Sequence, residues 1–391
     1  LLSGPITHTA NMLGNALFGA AMRPIVDLAA ATTGMLSGNK DRVLVSEVVY
    51  GSMAQAAALK DALKVAFEFF RLGESPVKTD QYRRAIGGEV YYKAAEQAQM
   101  EGRVYGSSDF RARVKDIIEA LPAKDRIEYK AGDVIRLPFR FLGAEDQFFR
   151  TLSERYTAYA LSARQAGKEG LNPLTREFRE RMATLVENQT PEMAQAVKDA
   201  GDRFTFNTPL GDGGRAVQTV VKKFHLEIVA PFIQTPLNII QEVGRMTPFA
   251  PMVKTWREDV AIGGASRDRA LAEVGVGLGL FSLFFSMAKE GNLTGQLDPD
   301  AGKRAVQLTA GIQPYSIKIG DTYYNYQRLQ PVGIILGWAG DMAAVWDKLD
   351  EDEMDKVVKM MAIAFGNAFT NQTFLQGVVG LVNMISDPNR Y

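Results

Sequence analysis

The placement of charged side chains is the feature that most constrains how this chain can fold. The chain has 391 residues, of which 45 are basic and 45 acidic, so its formal net charge is zero. Residues 1–39 carry only two charges, Arg23 and Asp27, and residues 360–391 carry only two more. The part between these ends is about 27% charged. We therefore expect the surfaces formed by the two ends to be covered by each other, by sister subunits or by a membrane. The reason is that exposed apolar surface favours association.

Composition excludes several broad classes of protein. Hydrophobic residues make up 46% and charged residues 23% of the chain, which is typical of a globular protein and not of a disordered or collagen-like one. The absence of cysteine rules out a disulfide framework and any cysteine-based metal site. Zero net charge argues against tight nucleic-acid binding. It is compatible with the wall of a conduit through which DNA moves without binding to it. Because the chain begins at Leu1 and not at a methionine, and ends abruptly at Tyr391, we expect it to be part of a longer polypeptide.

One apolar run is a candidate for a membrane-spanning helix. Val274–Ala288 contains 15 uncharged residues, which as a helix would be about 22 Å long. This length falls short of the roughly 30 Å hydrocarbon core of a bilayer. Two interpretations stay open: a buried helix of a large helical body, or a helix that inserts or assembles conditionally in a membrane. Three alternate glycines, from Gly275 to Gly279, would allow another helix to approach closely in either medium.

Hydrophobic periodicity predicts helix for most of the chain. Asp41–Arg71 is predicted to be one helix with a lengthwise packing seam, and Gly143–Gln165 and Ser266–Glu290 are predicted to be further helices. The seam comprises Val45, Val49, Ser52, Ala56, Leu59, Leu63, Ala66 and Phe70. Residues 73–107 look irregular because of their glycines. Three helices are predicted to finish the chain, over 331–349, 352–367 and 373–385.

A β-hairpin is predicted near residues 315–326. Two short stretches of alternating residues flank Gly320 and Asp321, a pair typical of a tight turn. Because an isolated hairpin is only marginally stable, its tyrosines should pack on helices or on another chain. The fold class predicted is mainly α: an elongated multi-helix assembly with this one small hairpin. Turn-rich residues 204–215 suggest two subregions, residues 1–205 and a more apolar part, residues 206–391.

Candidate catalytic residues are few. The only histidines are His8 and His225, and neither has metal-ligand neighbours, so both are interpreted as structural. The glycines at 275–279 resemble a dinucleotide loop only superficially, because they lie inside a helical run and not after a strand. Leu210–Arg215 could cradle a phosphate, yet it lacks the P-loop lysine and is interpreted as a turn.

Carboxylate pairs are plentiful but lie on charged helix faces. They are Glu145 with Asp146, Glu258 with Asp259, and the run Asp350, Glu351, Asp352 and Glu353. The run is interpreted as an acidic helix start, which the helix dipole favours. Basic residues Arg111, Arg113 and Lys115 alternate with acids and form no clean patch. The sequence therefore predicts no enzyme, no catalytic residue, no cofactor and no metal site.

Several phrases of the sequence together resemble a known family. In chain order they are Leu2-Ser-Gly-Pro-Ile-Thr-His8 with Asn11 and Asn15, Phe141-Leu-Gly-Ala-Glu-Asp-Gln-Phe-Phe149, Thr208-Pro-Leu-Gly211, Pro231-Phe-Ile-Gln-Thr-Pro-Leu-Asn238, Gln313-Pro-Tyr-Ser-Ile-Lys-Ile-Gly-Asp321 and Asp387-Pro388. They resemble a helical region of the large polyvalent proteins of tailed bacteriophages, described as internal virion or DNA-ejection proteins. The resemblance covers nearly the whole chain and rests on structural phrases. No lytic transglycosylase, polymerase or protease motif accompanies them.

The resemblance implies a non-enzymatic structural segment of a large phage ejection protein, which helps to form an oligomeric conduit or scaffold for genome delivery through the host envelope. Implied partners are other copies of the chain, other virion or ejection proteins and, at most, non-specific contact with phage DNA. The implied location is the virion interior and then the periplasm or inner membrane of the host. Residues that could contact that membrane are Val274, Leu278, Leu280, Phe281, Phe284 and Phe285. The alternatives are a scaffolding module that positions neighbouring enzyme domains, and an enzyme that acts on peptidoglycan through carboxylates.

Overall fold

Helices dominate the structure, and the predicted mainly α fold with one small hairpin is confirmed. The computed structural model describes residues 9, 12–36, 38, 41–72, 88–103, 108–208, 230–298, 300–346 and 359–366. The α-helices are α1 (Met22–Leu36), α2 (Val45–Ala57), α3 (Leu59–Leu72), α4 (Gly88–Met100), α5 (Ser108–Glu119), α6 (Ala123–Lys168), α7 (Arg176–Glu187), α8 (Pro191–Phe204), α9 (Ala230–Arg245), α10 (Lys254–Ile262), α11 (Gly264–Lys289), α12 (Ala301–Thr309) and α13 (Val332–Trp346). The strands are β1 (Ser316–Ile319) and β2 (Thr322–Asn325). A π-helical segment, Ala16–Ala21, leads directly into α1.

The chain divides into two compact units. Among the described residues the first unit is Leu59–Thr151, and the second combines Thr9–Ala58 with the chain from Leu152 onward. Helix α6 therefore contributes residues to both units. The predicted division into residues 1–205 and 206–391 was drawn from turn content and composition, and it stays a prediction.

The core of the first unit is built from small and branched side chains. Ala94, Ala95 and Ala98 of α4 pack against Val114, Ile117 and Ile118 of α5. Because alanines allow close approach, the branched residues of α5 can fill the space between the two helices. Arg113 of α5 holds Glu101, which follows α4, through two hydrogen bonds of 2.6 and 2.8 Å. The region predicted to be irregular, residues 73–107, thus contains helix α4.

Helix α13 lies at the centre of the second unit. Every residue from Val332 to Ala343 is buried, in keeping with the apolar composition of the helix on all sides. The indole N–H of Trp338 donates to the carbonyl of Met361 at 3.0 Å, and the Trp338 ring centroid lies 4.2 Å from that of Phe281 in α11. Helix α11 packs on one side against α13 and on another against α1. These contacts place α11 between the apolar core and the N-terminal helices.

The predicted hairpin forms in the expected register and is anchored to the second unit. Ser316 pairs with Asn325 and Ile319 with Thr322, around a turn in which Gly320 has a φ of 61°. Tyr315 and Tyr326 are buried in a cluster with α13, as predicted for the hairpin tyrosines. Two other tyrosines are less covered, since Tyr323 is half-buried and Tyr324 is exposed. The hairpin is therefore held by its first and last aromatic residues.

The helix predicted over Asp41–Arg71 requires two corrections. It begins at Val45 and is interrupted at Ala58, which separates α2 from α3. The predicted packing seam is also wrong, because several of its large residues face solvent: Val45, Val49, Leu59 and Leu63 are 44, 48, 48 and 62% exposed. In α2 the buried face instead carries Glu47, Val48 and Gly51. The reason is electrostatic, because Glu47 is drawn inward by two arginines described below.

Helix α6 is longer than predicted. It runs from Ala123 to Lys168, whereas the periodic pattern indicated only residues 143–165. Gly143 lies under a ring of α3, since a Cβ at this position would be 2.2 Å from an atom of the Phe69 ring.

The predicted helices over 352–367 and 373–385 fall mostly outside the described residues, although residues 359–366 are helical.

The glycines of α11 differ sharply in their surroundings, which permits a matched test. A Cβ at Gly277 would lie 1.9 Å from the carbonyl oxygen of Met246, whereas Cβ atoms at Gly275 and Gly279 would meet nothing within 4 Å. We expect Gly277→Ala to lower the free energy of unfolding by about 1–3 kcal/mol through overpacking. Gly275→Ala and Gly279→Ala should raise it by up to about 1 kcal/mol through better helix propensity. Urea denaturation of the three variants measures the difference, and equal effects at all three positions would contradict the packing described.

Candidate functional site

The residues considered as site candidates from the sequence do not converge. The glycines at 275–279 lie within α11, so the dinucleotide-loop interpretation is not supported. His8, His225, residues 210–215 and the acidic run at 350–353 lie outside the described residues. In the described part of the chain, no group of three or more His, Cys, Asp or Glu side chains could hold a metal ion.

Two carboxylate pairs can be placed. Burial, together with the neighbouring Asp146 carboxylate, raises the pKa of Glu145 to about 8. Glu258 and Asp259 lie on α10, where Glu258 forms a partly exposed pair with Lys254 and Asp259 turns toward Arg245. These carboxylates therefore act in different surroundings and do not form one acid–base pair.

Charged residues that the sequence did not single out do converge, in the second unit. The first ion cluster comprises Arg23, Asp27, Glu47, Arg164 and Arg269. Arg269 donates to Asp27 Oδ1 through Nε at 2.6 Å and to Glu47 Oε2 through Nη2 at 3.0 Å. Arg164 Nε reaches Glu47 Oε1 at 2.9 Å, and Arg23 Nε reaches Asp27 Oδ2 at 3.1 Å. Arg269 thus bridges the two carboxylates, and the cluster as a whole joins α1, α2, α6 and α11.

Both carboxylates of the first ion cluster are fully buried. Asp27 also accepts a hydrogen bond from the Tyr156 hydroxyl at 2.8 Å, and Glu47 accepts one from the Leu44 backbone N–H at 2.8 Å. Burial alone would raise the pKa of Asp27, but Arg269 and Arg23 outweigh this effect and hold the pKa well below its usual range. Burial and the Asp27 charge raise the pKa of the Tyr156 hydroxyl. Each carboxylate of the cluster is therefore paired with arginines, whereas Arg164 Nη2 is buried without a hydrogen-bond partner among the described residues.

The second ion cluster lies along α8, α9, α10 and α11 and comprises Arg203, Glu242, Arg245, Asp259 and Glu273. Arg203 holds Glu242 by bonds of 2.6–2.9 Å and reaches Glu273 Oε1 at 2.7 Å. Arg245 takes the other oxygen of Glu273 at 2.8 Å and Asp259 at 2.6 Å. Burial lowers the pKa of Arg203, but Glu242 and Glu273 outweigh it and leave that pKa well above its usual value.

A small cleft separates the two clusters. Its volume is about 80 Å³, enough for a few water molecules and too small for a typical organic ligand. Arg269 and Glu273, one helical turn apart on α11, both line it and belong to different clusters. Its lining residues are Phe18, Gly19, Met22, Arg23, Val26, Ala200, Arg203, Phe204, Phe206, Glu242, Met246, Arg269 and Glu273. The cleft is therefore a gap between two ion-pair networks that hold the helices together.

A larger groove lies beside α9 and α10. Its volume is about 710 Å³, which is within the range of ligand pockets. The lining is mainly apolar, with Ile240, Phe249, Met252 and Phe365 among its members. Its polar lining residues include Lys254, Thr255 and Glu258, and Lys254 pairs with Glu258 at 3.7 Å.

Another buried carboxylate, Asp341, differs from those of the two clusters because no cation faces it among the described residues. Asp341 of α13 is 7% exposed and accepts a hydrogen bond from the Gln296 N–H at 2.5 Å. The Tyr315 hydroxyl lies 3.5 Å from its other oxygen. The contact is close because Gly295 and Gly340 face each other: a Cβ at Gly340 would lie 2.6 Å from Gly295 N. Burial raises the pKa of Asp341 to about 7.

The residues predicted to contact a membrane fall on different sides of α11. Leu278 is exposed, whereas Leu280, Phe281, Phe284 and Phe285 pack against the core of the second unit. Val274 is half-buried. By length and composition, Gly264–Lys289 is the single helix in the described part of the chain that could cross a membrane, and 22% of its apolar window is buried.

Comparison with known proteins gives no relative from which to infer function. No protein-family model, no curated protein and no solved structure matches the chain. The phage resemblance consequently stays a prediction.

The sequence held one clue to the ion clusters. Arg23 and Asp27, four residues apart, are the only charges within the first 39 residues. Isolated charges in an uncharged segment are expected to be paired when they are buried. Arg269, which pairs with Asp27, lies 242 positions away in the sequence, so no local pattern could have identified it.

Proposed function

We propose that this chain is a non-enzymatic structural segment of a large phage internal virion or ejection protein. It would help to form an oligomeric conduit or scaffold for genome delivery through the host envelope. The observation that carries the proposal is that buried carboxylates are paired with arginines of the same chain. Asp27, Glu47 and Glu273 are each satisfied by arginines from other helices, so these groups hold helices together instead of facing a substrate.

The phrases that carry the family resemblance also lie at packing contacts. Asn238, which ends one phrase, donates from Nδ2 to the carbonyls of Phe206 at 2.7 Å and Thr208 at 2.9 Å, and Thr208 begins another phrase. In the first unit, Phe141 packs its ring on Phe70 with centroids 4.6 Å apart. This supports the interpretation that the phrases encode architecture and not catalysis.

Fractionation of infected cells tests the proposed function. We expect an epitope-tagged chain to leave the virion with the genome and to be recovered in the envelope fraction. A tagged major capsid protein, which stays with the empty particle, is the control. Retention of the chain in emptied capsids, with none in the envelope, would show that the ejection role is wrong.

A scaffolding module within the virion is the second candidate, and one observation favours it. The first unit exposes several large apolar side chains, among them Leu63 at 62%, Phe67 at 59% and Ile127 at 68%. Apolar residues on a helical surface are typical of contact with neighbouring protein. A scaffold should co-purify with flanking domains of its polypeptide and should not bind lipid vesicles.

A further inference from the structure

The β-hairpin and the segment that follows α11 form one small layer on α13. The Thr294 N–H donates to the Ser316 carbonyl at 2.9 Å, and the Tyr326 hydroxyl donates to the Thr294 carbonyl at 2.5 Å. We call residues 292–296 and 315–326 together the hairpin cap. These hydrogen bonds lie within the hairpin cap, so they do not require its contact with α13.

In the described part of the chain, Asp341 is the one side chain of α13 that hydrogen-bonds to the hairpin cap. Its Oδ1 accepts the Gln296 N–H at 2.5 Å, whereas the Tyr315 hydroxyl is 3.5 Å from Oδ2, at the limit of a hydrogen bond. The other contacts of this cluster are apolar, and they join Leu293, Tyr315 and Tyr326 of the hairpin cap to Val332, Leu336 and Ala339 of α13. The polar attachment of the hairpin cap to α13 therefore depends on one carboxyl group.

The backbone packs tightly against the Asp341 carboxyl group. A Cβ at Gly340 would lie 2.6 Å from the backbone nitrogen of Gly295, and a Cβ at Gly295 would lie 2.2 Å from Asp341 Oδ1. The two glycines thus bring α13 and the hairpin cap into direct backbone contact beside the carboxyl group. A buried ionised carboxylate needs a cation or water to replace its lost hydration. Water can surround this carboxylate only when the hairpin cap moves away from α13.

No charged side chain faces Asp341 among the described residues. The titratable groups that face it are the Tyr315 and Tyr326 hydroxyls, and α13 carries no other charged residue. The charged residues of the hairpin cap and of the segments that adjoin it are exposed or half-buried: Lys289, Glu290, Asp298, Lys318, Asp321 and Arg328. The charge of an ionised Asp341 is therefore not offset while the hairpin cap is docked.

Burial accordingly dominates the protonation of Asp341. It raises the pKa to about 7, while the Gln296 N–H and the Tyr315 hydroxyl act in the opposite direction with smaller effects and no cation contributes. Asp27 in the first ion cluster differs, because Arg269 and Arg23 hold its pKa well below the usual range. Asp341 is thus a buried acid whose charge can change below and near neutral pH.

We propose that protonation of Asp341 controls the docking of the hairpin cap on α13. A protonated Asp341 is neutral, and its Oδ1 can still accept the Gln296 N–H, so the hairpin cap stays docked. An ionised Asp341 is stabilised by water in an open form, in which the hairpin cap has separated from α13 while the helices of the second unit stay folded. The device does not depend on the proposed function, because it uses only contacts within this chain.

The direction of the pH dependence follows from the surroundings of Asp341 in the two forms. In the open form the hydrated carboxyl group returns to its usual pKa of 3.8, against about 7 in the docked form. Opening therefore releases a proton between these two values. Docking is most stable below about pH 4 and weakens as the pH rises to about 7. The equilibrium constant for opening should rise about tenfold for each pH unit in this range and should level off at higher pH.

Hydrogen exchange of the 391-residue chain, measured by mass spectrometry from about pH 4 to pH 8, tests the proposal. Protection factors are corrected for the intrinsic exchange rate at each pH. For peptides of the hairpin cap we expect protection to fall about tenfold for each pH unit up to about pH 7. At that pH these peptides should be less protected than peptides of α1 and α8 in the same unit. Low urea should not change their exchange, because local opening exposes little surface.

Two variants with the same chemical change complete the experiment. Asp341→Asn, which stays neutral, should abolish the pH dependence of protection in the hairpin cap, whereas Asp321→Asn, at the exposed hairpin turn, should keep the wild-type profile. The proposal is overturned if protection of the wild-type hairpin cap does not change with pH, or if Asp341→Asn retains the full change. It is also overturned if the hairpin cap, α1 and α8 exchange at equal rates with equal urea dependence, because the whole unit would then open at once.

Discussion

Arg269→Met is expected to lower the free energy of unfolding of the second unit by about 3–5 kcal/mol, because it leaves buried carboxylates without their shared cation. Asp27 and Glu47 are both fully buried, and among the described residues Arg269 is the one arginine that bonds to both of them. Arg23 and Arg164 remain, but each reaches only one of the two acids. Urea denaturation followed by circular dichroism measures the loss.

A surface ion pair of similar geometry provides the matched control. Arg176 bonds to Glu180 at 2.6 Å, but its side chain is 86% exposed. Arg176→Met should therefore change the free energy of unfolding by less than about 1 kcal/mol. The variant Arg269→Met with Asp27→Asn should recover part of the stability, since one buried charge is removed with its partner. Equal small losses in both single variants would contradict a structural role for the first ion cluster.

The first ion cluster also predicts a direction of pH dependence. The pKa of Asp27 is depressed in the folded chain. The stability that this group contributes is therefore present above its usual pKa of 3.8 and is lost as the pH falls further. In Arg269→Met that acid-sensitive contribution should shrink, because its main cation is gone.

Asp341→Asn is expected to stabilise the second unit at neutral and alkaline pH, by up to about 4 kcal/mol. The folded pKa of Asp341 is about 7, above the usual value of 3.8. Between these two values the folded chain holds a proton that the unfolded chain has released. The stability from this group is therefore complete below pH 4 and declines as the pH rises to 7, by about 1.4 kcal/mol for each pKa unit. Asparagine stays neutral and can still accept the Gln296 N–H.

The measurement compares wild type with Asp341→Asn across pH 4–9. We expect the difference in free energy of unfolding to be near zero at pH 4, to grow through pH 5–7 and to be constant above pH 8. Hydrogen exchange at Lys318 N–H, which bonds to the Asn292 carbonyl at 2.8 Å, reports the docking of the hairpin directly. The exposed hairpin-turn variant Asp321→Asn is the control and should not reproduce the trend. A difference that is constant across the whole range would show that Asp341 does not bind a proton on folding.

The sequence alone was sufficient for the local elements of this fold. The hairpin was predicted because its turn and its alternating strands are short-range signals, and β1 and β2 pair as expected. Helices α11 and α13 were likewise predicted close to their observed bounds, whereas the short helices α10 and α12 were not predicted. Where local signals were ambiguous the prediction was less accurate: α4 was interpreted as irregular because glycines flank it, and α6 was predicted to begin 20 residues too late.

The tertiary structure decided which face of each helix is inside. The seam predicted for α2 places Val45 and Val49 inward, yet Glu47 lies inside and the valines face outward. Hydrophobic periodicity assumes that apolar residues are buried, and this assumption fails where carboxylates and arginines from distant helices pair in the interior. Such pairs join residues far apart in the chain, so no window of sequence contains both partners.

By itself, the sequence determined that the chain is mainly helical, lacks cysteine and has nearly uncharged ends. Helix and turn preferences act over a few residues, so they can be predicted from short stretches of the sequence. Only the tertiary structure brought Asp27, Glu47 and Arg269 together, buried Asp341 away from every described cation and turned three leucines of α11 outward. These features depend on which helices become neighbours. That choice is made by the summed packing and pairing energy of the whole unit and not by any one segment.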